Sequence, residues 1–344
     1  MIRRPPRSTQ SRSSAASDVY KRQVTYFAYQ LLIKFAKYLK LIDIPNARST
    51  HINPTIRGFG VVIFSSIGLT LLVFDPAMFS KHPNLLSAVM LIGLLGLIDD
   101  IKETPPIIKI ITLIVVYMFL YAEGFLINYL GVYLGTSINL NLIVAILFST
   151  SAIVAFTNAF NLIDGLDGLS GLVAIIIFLS FLFIGITNND QLLITIPVLF
   201  IASLCVFLFY NWSPAEVFLG DSGSLMIGFI ISVLGIRSLN YIEPISILYI
   251  TAVPIIDALF VYMRRLLDGK SPFKADKLHC HHILLAYLNG NVKKTVLIIA
   301  LIQFIFSALG VFFVRNVSDS FLALLMFVVI YISIYFYLNR IRIA

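Results

Sequence analysis

Five aspartates that could share one cation stand beside apolar stretches of the chain. Asp99 and Asp100 close the segment GLIDD, Asp164 and Asp167 lie in NAFNLIDGLDGLSGL, and Asp221 lies in FLGDSGS. Carboxylates beside a membrane are costly unless they are paired or bound to metal, and five of them close together would repel one another. A hard divalent cation with oxygen ligands, such as Mg²⁺ with retained waters, would neutralise them. The aspartates therefore predict a magnesium site.

The central segment has a polar residue at every third position: Asn158, Asn161, Asp164 and Asp167. An α-helix turns once in 3.6 residues, so this row would drift around a helix, whereas a 3₁₀ turn or a glycine-broken loop would align it. The glycines of the segment favour the loop and let the backbone approach a phosphate or a nucleoside. The alternative is a turn whose side chains satisfy backbone donors.

Asp221 has two interpretations that can hold together. It opens an apolar run among glycines, where free helix N-terminal amides face the same space as its carboxylate. It could bind metal, or it could cap the helix, which is worth about 1 kcal/mol. Asp99 and Asp100 could similarly be an interfacial end to a span, but the neighbouring polar clusters favour chemistry.

A histidine group, His279, His281 and His282, surrounds Cys280. Imidazole and thiolate are usual zinc ligands, but adjacent residues do not easily converge tetrahedrally on one ion. Interfacial structural histidines are another alternative, and contact with a phosphate or a sugar is the favoured one. Charge makes Arg57 and Lys109 phosphate partners, although a lone basic residue at an interface usually extends into water.

These residues require a membrane framework. The chain has 344 residues, of which 59% are hydrophobic and 12% are charged, and its mean hydropathy is +0.95. Soluble domains carry about a quarter charged residues, so the composition excludes a water-soluble globule and a disordered chain. Apolar runs of about 20 residues predict an all-α integral membrane protein with ten spans and a doubtful eleventh from Val24. The ten lie near 58–76, 83–98, 106–122, 138–157, 170–187, 191–210, 222–240, 244–264, 293–313 and 319–338.

Basic residues indicate the orientation. Outside the first 23 residues, 16 of the 19 Lys and Arg fall on the face that carries the polar clusters. Positive charge marks the cytoplasmic side, so the clusters are predicted to be cytoplasmic. Segment 1–23 lacks the apolar core of a secretory signal and is expected to be a non-native or disordered leader. It holds six basic residues and one acidic residue, so without it the net charge of +8 falls to +3, and nucleic-acid binding is not expected.

Five segments, which follow in order from about Lys40 to Tyr287, resemble the bacterial polyprenyl-phosphate N-acetylhexosamine-1-phosphate transferases. They are DIPNARSTHINPTIRGFG, GLIDDIKETPPIIK, NAFNLIDGLDGLSGL, YNWSPAEVFLGDSGS and RRLLDGKSPFKADKLHCHH. The HxHH form resembles the enzymes that begin O-antigen, enterobacterial common antigen or teichoic-acid linkage synthesis. The resemblance implies an eleven-helix membrane enzyme that moves a sugar phosphate from a UDP-sugar to undecaprenyl phosphate and releases UMP, with Mg²⁺ or Mn²⁺.

The resemblance also implies roles for single residues. Asp99 and Asp100 would act at the lipid phosphate, Asp221 would bind the metal, and Lys109 would contact phosphate. The nucleotide would be held by Asn158, Asn161, Asp164 and Asp167, and the pyrophosphate and sugar would face His279, His281 and His282. Residues 24–344 would form a single polytopic transferase domain in the bacterial inner membrane. Its expected partners are a UDP-N-acetylhexosamine, first of all UDP-N-acetylglucosamine, undecaprenyl phosphate and the lipid bilayer.

Other classes of membrane protein fit less well. A secondary transporter would place its ionisable residues near the bilayer midplane rather than in loops on one face. An intramembrane aspartyl protease would need GxGD, but residue 218 is Phe, and the DGxxAR segment of CDP-alcohol phosphotransferases is absent. An inactive scaffold of the same fold remains an alternative to the enzyme.

Overall fold

The computed structural model describes residues 54–269, 278–314 and 317–343, together with scattered positions between 26 and 43. The predicted leader 1–23, most of the doubtful first span, and the motif residues 44–53 and 270–277 lie outside the described residues.

Helices make up most of the described chain. They are α1 (Phe59–Phe74), α2 (Ala77–Lys81), α3 (Pro83–Ile101), α4 (Pro106–Ala122), α5 (Leu142–Leu162), α6 (Leu169–Asn188), α7 (Gln191–Asn211), α8 (Gly220–Ser238), α9 (Pro244–Ile250), α10 (Ala252–Leu267), α11 (Cys280–Tyr287), α12 (Val292–Ala308) and α13 (Phe321–Ile343). A π-helical segment, Leu309–Val314, continues α12. Two short antiparallel pairs join β1 (Ile42–Asp43) to β2 (Thr55–Ile56) and β3 (Tyr129–Tyr133) to β4 (Thr136–Asn139).

The helix starts follow from local sequence. Proline occupies the first turn of α3, α4 and α9, where its missing N–H leaves no helical hydrogen bond unmade. The side chains of Asn141, Asp190 and Asn291 accept hydrogen bonds from backbone N–H groups at the starts of α5, α7 and α12. These signals explain why long apolar runs divide into separate helices.

The all-α polytopic membrane fold predicted from the sequence is confirmed. Among the described residues, seven helices are long and apolar enough to cross a membrane, and the bent pair α9–α10 makes an eighth. The predicted ten or eleven spans are not confirmed by this count. Helices α1 and α4 are apolar but have only 16 and 17 residues, fewer than the about 20 that a straight crossing needs.

Two predicted spans differ from the structure in shape. The predicted span 138–157 is displaced, because β4 extends to Asn139 and the side chain of Asn141 accepts a 3.0 Å hydrogen bond from Val144 N, which starts α5 there. The predicted span 244–264 is bent by 84° between α9 and α10.

Glycines bring α1, α3 and α8 into close contact at one end of the bundle. A Cβ on Gly60 of α1 would lie 2.1 Å from Gly223 N, and a Cβ on Gly96 of α3 would lie 2.3 Å from Ser222 Cα. Real Cβ atoms do not approach backbone this closely, so both positions require glycine. This packing sets the last turn of α3 against the first turn of α8, and thereby brings Asp99 and Asp100 to Asp221.

A polar cluster ties helix ends together at the opposite end of the bundle. Asp190, at the start of α7, accepts hydrogen bonds of 2.7 Å from both Arg237 Nε and Tyr241 Oη. These donors, with the helix amides, hold the pKa of the Asp190 carboxyl below its ordinary value despite its burial. The cluster is structural and distant in sequence from the predicted site.

Candidate active site

Lys109 lies between two carboxylates that come from different helices. Its Nζ atom lies 2.7 Å from Asp99 Oδ2 and 2.5 Å from Asp221 Oδ2. Asp99 is further oriented by Thr104, whose backbone N–H and hydroxyl both donate to Oδ1. The structure thus brings together three of the predicted site residues, with a cation at the point where the two carboxylates face each other.

Asp100 has a different environment from its neighbour. Its Oδ1 accepts a hydrogen bond from Asp221 N at 2.8 Å, and its Oδ2 accepts from Ser222 N at 3.1 Å and Ser222 Oγ at 2.6 Å. The carboxylate therefore caps α8 from another helix and satisfies amides that the helix itself leaves without acceptors. A Cβ on Gly220, whose φ is +75°, would lie 2.6 Å from Asp100 Oδ2, so this cap also requires glycine.

The side chain of Asp221 does not cap its own helix. The N-cap residue of α8 is Leu219, so Asp221 lies inside the first turn, where its own amide and that of Ser222 donate to Asp100. Of the two interpretations predicted for Asp221, the cap is wrong, and its carboxylate is left to face Lys109 and Asn161.

Arg57 reaches the same helix end. Its guanidinium donates a hydrogen bond to the backbone carbonyl of Asp100, and its positive charge faces the Asp100 carboxylate. The contact links the residue preceding α1 to the end of α3. The predicted role of Arg57 in phosphate binding stays a prediction.

The predicted row of polar residues is divided between a helix and a turn. Asn158 and Asn161 lie in the last turns of α5, so the loop prediction is wrong for them, whereas Asp164 and Asp167 lie in the turn before α6. Asn158 donates to Val154 O of its own helix. Asn161 Nδ2 lies 3.1 Å from Asp221 Oδ1 and 2.8 Å from Ser224 Oγ, which places Asn161 beside the carboxylate pair.

Asp164 and Asp167 hold the turn in different ways. Asp164 Oδ1 accepts a 2.5 Å hydrogen bond from Ser170 Oγ, and Asp167 Oδ2 accepts one of 3.2 Å from Ala215 N of the α7–α8 loop. Burial, together with the nearby carboxylates of Asp221, Asp100 and Asp167, raises the pKa of Asp164 to about 7 against the lowering effect of the hydrogen bond from Ser170. Asp164 is therefore poised to change charge near neutral pH.

Asn211 is a buried polar residue at this site that the sequence interpretation missed. It accepts a hydrogen bond from Gly168 N and donates one to Val217 O, both at 2.7 Å. It thereby joins the α5–α6 turn to the α7–α8 loop. The available signal was an asparagine at the end of an apolar run, but that position is equally typical of an ordinary helix end.

The histidine group packs on an aspartate that was also missed. His279 Nδ1 lies 2.7 Å from Asp257 Oδ2, Cys280 N donates to Asp257 Oδ1 at 2.7 Å, and His281 Nδ1 lies 3.6 Å from the same Oδ1. A Cβ on Gly165 would lie 2.6 Å from His281 Nε2, so this imidazole rests against the Asp164–Asp167 turn. Cys280 begins α11, and its burial raises the pKa of its thiol.

His282 completes the group beside His281. The two ring centroids are 4.3 Å apart, and the His279 and His281 rings stack at 5.3 Å with an angle of 24° between their planes. The three predicted histidines thus lie together, and they lie on the same side of the bundle as the aspartates.

The donor set fits a hard divalent cation. Asp99 and Asp221 present carboxylate oxygens to one point, where the Lys109 ammonium now lies, and the Asn161 amide is beside them. Oxygen donors of this kind suit Mg²⁺ or Mn²⁺ rather than a soft metal. Five aspartates against the two cations Lys109 and Arg57 also leave an excess of acidic residues at the site.

An apolar cavity of about 490 Å³ lies within the bundle and extends along α5 to its last turn. It lies between α5, α8 and the bent pair α9–α10, and its lining includes Phe156, Ile231, Leu248 and Leu259. Asn158, one turn before Asn161, also lines it. The cavity therefore offers an apolar chain a place along α5, whose last turn carries Asn161.

Comparisons with known proteins identify the family. A model described as glycosyl transferase family 4 matches residues 82–239. The chain is 31% identical to a Bacillus subtilis protein named "Probable undecaprenyl-phosphate N-acetylglucosaminyl 1-phosphate transferase", over 77% of this chain and 75% of that protein. Two further relatives are both named undecaprenyl-phosphate alpha-N-acetylglucosaminyl 1-phosphate transferase. The Thermotoga maritima protein is 29% identical over 83% of this chain and 87% of its own length. The Escherichia coli K12 protein is 25% identical over 73% of this chain and 71% of its own length. The chain belongs to the polyprenyl-phosphate N-acetylhexosamine-1-phosphate transferases, within glycosyl transferase family 4.

Proposed function

We propose that the protein transfers N-acetylglucosamine-1-phosphate from UDP-N-acetylglucosamine to undecaprenyl phosphate and releases UMP, with Mg²⁺ or Mn²⁺ as cofactor. The product would be the first lipid-linked intermediate of a cell-envelope glycan, such as an O-antigen. The observation that carries the proposal is the Asp99–Lys109–Asp221 cluster, and the apolar cavity along α5 supports it. The relatives named above supply the substrate class.

The reaction exchanges one phosphoanhydride for another. An oxygen of the lipid phosphate attacks the β-phosphorus of the UDP-sugar, the bond from that phosphorus to the bridging oxygen breaks, and UMP leaves with the oxygen. The proposal needs no ATP because equivalent bonds form and break. The protein therefore has to position two anions and reduce their repulsion.

Asp99, Asp221 and Lys109 would perform the positioning at the reacting phosphates. A divalent cation held by Asp221, with Asp99 and Asn161 beside it, would supply charge neutralisation to the pyrophosphate. Lys109 would move from the carboxylates to a phosphate oxygen, since its ammonium already lies between them. Asp99 would accept the proton of the lipid phosphate or orient that group, and Asp100 would keep the first turn of α8 in place for Asp221.

The nucleotide half of the site would lie around the α5–α6 turn. Asp164 and Asp167 would face the nucleoside, and the histidines packed on Gly165 would face the pyrophosphate and the sugar. Backbone at Gly165 permits this approach because no side chain intervenes. Asn158 would contact the substrate at the junction of the site and the cavity.

The cavity would receive the first isoprene units of the lipid, whose phosphate would then reach Asp99. The site would face the cytoplasm of a bacterial inner membrane, because the described basic residues Lys102, Lys109, Lys293 and Lys294 lie near helix ends on its side. The UDP-sugar is soluble and would arrive from there.

The test uses purified protein with undecaprenyl phosphate, Mg²⁺ and separate UDP-sugars. UMP should form with UDP-N-acetylglucosamine and only when the lipid is present. Release of UMP from another UDP-sugar alone would change the assigned donor, and failure with every donor would favour an inactive scaffold. Counterflow of an anion in vesicles without UMP release would favour a transporter.

Metal binding by Asp221 can be tested separately with one substitution. Asp221→Asn keeps the size of the side chain and removes its charge, so the apparent affinity for Mg²⁺ should fall while lipid binding changes less. Raising Mg²⁺ should restore part of the activity. No response to Mg²⁺ in a folded variant would contradict the ligand role of Asp221.

A further inference from the structure

Asp257 lies inside an otherwise apolar part of α10, in the segment AVPIIDALF. Only 3% of the residue is exposed. A carboxylate in such surroundings is costly unless it accepts hydrogen bonds or meets positive charge. Its partners, His279 and the backbone N–H of Cys280, both come from the start of α11, which follows in sequence and is not part of the same helix. Among the described residues, the histidine segment is what offsets the cost of burial.

The contact fixes one nitrogen of His279. At 2.7 Å from Asp257 Oδ2, Nδ1 carries the proton that it donates, since the carboxylate has no proton to give. The free nitrogen of the ring is therefore Nε2. Cys280 N meanwhile occupies Asp257 Oδ1, which sets the first turn of α11 and with it the direction of the ring.

His279 in turn supports His281. The two rings stack, His281 is only 2% exposed, and its Nε2 faces Gly165 of the turn that carries Asp164. Neither ring nitrogen of His281 has a hydrogen-bond partner among the described residues. Its Nδ1 lies 3.6 Å from Asp257 Oδ1, and a Cβ on Gly165 would lie 2.6 Å from its Nε2, so the imidazole is held directly between Asp257 and the α5–α6 turn.

A zinc ion at Asp257, His279 and His281 is the competing interpretation, because their donor atoms all lie within 4.8 Å of one another. Ligands of one tetrahedral zinc, at bonds of about 2.0–2.1 Å, stand about 3.3 Å apart. The separation of 2.7 Å between Asp257 and His279 is instead that of a charge-assisted hydrogen bond. Geometry therefore favours a carboxylate that orients an imidazole.

We propose that Asp257 is a positioning residue of the transferase: it holds His279 with Nδ1 protonated, so that Nε2 is left for the diphosphate of the nucleotide sugar, and it supports the stacked His281 against Gly165. This inference rests on the proposed function. It assigns Asp257 no contact with substrate and no proton transfer.

The first experiment is a double-mutant cycle of Asp257→Asn, His279→Gln and the double variant, with kcat and KM measured for the UDP-sugar and for the lipid phosphate. The carboxamide introduced by Asp257→Asn can donate a hydrogen bond from its NH₂ group to His279 Nδ1. This contact would favour the tautomer of His279 that carries its proton on Nε2. Each single variant should lose about 10-fold to 100-fold in kcat/KM for the UDP-sugar, with the KM for lipid within threefold of wild type. The double variant should be no worse than the poorer single one.

Asp190→Asn is the matched control, because Asp190 is also a buried aspartate that accepts hydrogen bonds from helix amides but lies at the opposite end of the bundle. It should lower thermal stability and leave both KM values unchanged. The positioning role would be overturned if the losses in kcat/KM of the two single variants multiply in the double variant. It would also be overturned if Asp190→Asn shows a similar kinetic defect. One zinc per purified wild-type chain would overturn it as well.

A second measurement does not depend on whether Asp257→Asn folds. In NMR spectra of wild-type protein with ¹⁵N-labelled histidine, the ring signals of His279 are identified as those that are absent from the spectrum of His279→Gln. These signals should show that Nδ1 is protonated. A deprotonated Nδ1 would overturn the proposal. If the wild-type protein releases no UMP with any donor, the proposed function fails, but the tautomer of His279 can still be measured. If the wild-type protein is active and the effects in the double-mutant cycle are additive, only the positioning role of Asp257 fails.

Discussion

The carboxylate of Asp100, at the end of α3, accepts a 2.8 Å hydrogen bond from the backbone N–H of Asp221, at the start of α8. This bond separates the roles of two adjacent aspartates. Asp99 points to Lys109 and Asp100 to a helix terminus, so substitutions at the two positions should have different consequences.

Asp100→Ala should destabilise the protein by about 1–3 kcal/mol, because it leaves the amides of Asp221 and Ser222 without an acceptor in a buried place. Asp99→Ala should remove most activity but change stability less, because Lys109, its main partner, still forms an ion pair with Asp221. Thermal unfolding in detergent and UMP release measure the two effects. Equal melting temperatures for the two variants would contradict this division.

Lys109→Gln should make stability depend more strongly on Mg²⁺. Without the ammonium, Asp99 and Asp221 repel each other, and a divalent cation relieves that repulsion. Adding Mg²⁺ should therefore raise the melting temperature more in this variant than in wild type. Lys102→Gln is the control, because Lys102 is an exposed neighbour at the end of α3; an equal response in all three proteins would speak against a shared cation site.

Asp164 predicts a dependence of stability on pH. Its pKa is raised to about 7 in the folded protein and is ordinary in the unfolded chain, so the folded state retains a proton that the unfolded state loses between about pH 4 and pH 7. Its contribution is therefore fully present below about pH 4 and is lost as pH rises through about 7. The free energy of unfolding should fall by about 1–2 kcal/mol between about pH 5 and pH 7 relative to Asp164→Asn. The measurement is made without divalent metal. If the free energy of unfolding changes with pH equally in wild type and in Asp164→Asn, Asp164 does not titrate in this pH range.

Gly165→Ala should lower activity by about 10-fold or more, because the added methyl would lie 2.6 Å from His281 Nε2 and would push the histidines away from the turn. Its backbone is not in the left-handed region, so the expected effect is steric. Gly124→Ala is the steric control, since a Cβ there meets no atom within 4 Å, although its φ of +83° adds some strain. Wild-type kinetics in Gly165→Ala would remove the histidines from the nucleotide-sugar site.

The sequence predicts the long helices and the gathering of the aspartates well, because both follow from local signals: apolar length, and carboxylates at the ends of apolar runs. It does not distinguish Asp99 from Asp100, since their different partners depend on how α3 meets α8 through Gly96 and Ser222. Asp257 and Asn211 are isolated polar residues in or beside apolar runs, and only tertiary packing reveals what they hold. The cap expected of Asp221 is absent because this residue lies inside the first turn of α8, whose N-cap residue is Leu219.

The most direct test of the central claim follows both products of one reaction. Purified protein is incubated with UDP-N-acetylglucosamine labelled in the sugar, undecaprenyl phosphate and Mg²⁺, and the lipid and nucleotide fractions are quantified. We expect labelled lipid and UMP in equal amounts, neither without Mg²⁺, and return of label to the UDP-sugar when excess UMP is added. Release of UDP in place of UMP, or labelled lipid that forms equally well without a divalent cation, would contradict a metal-assisted transfer of the sugar phosphate.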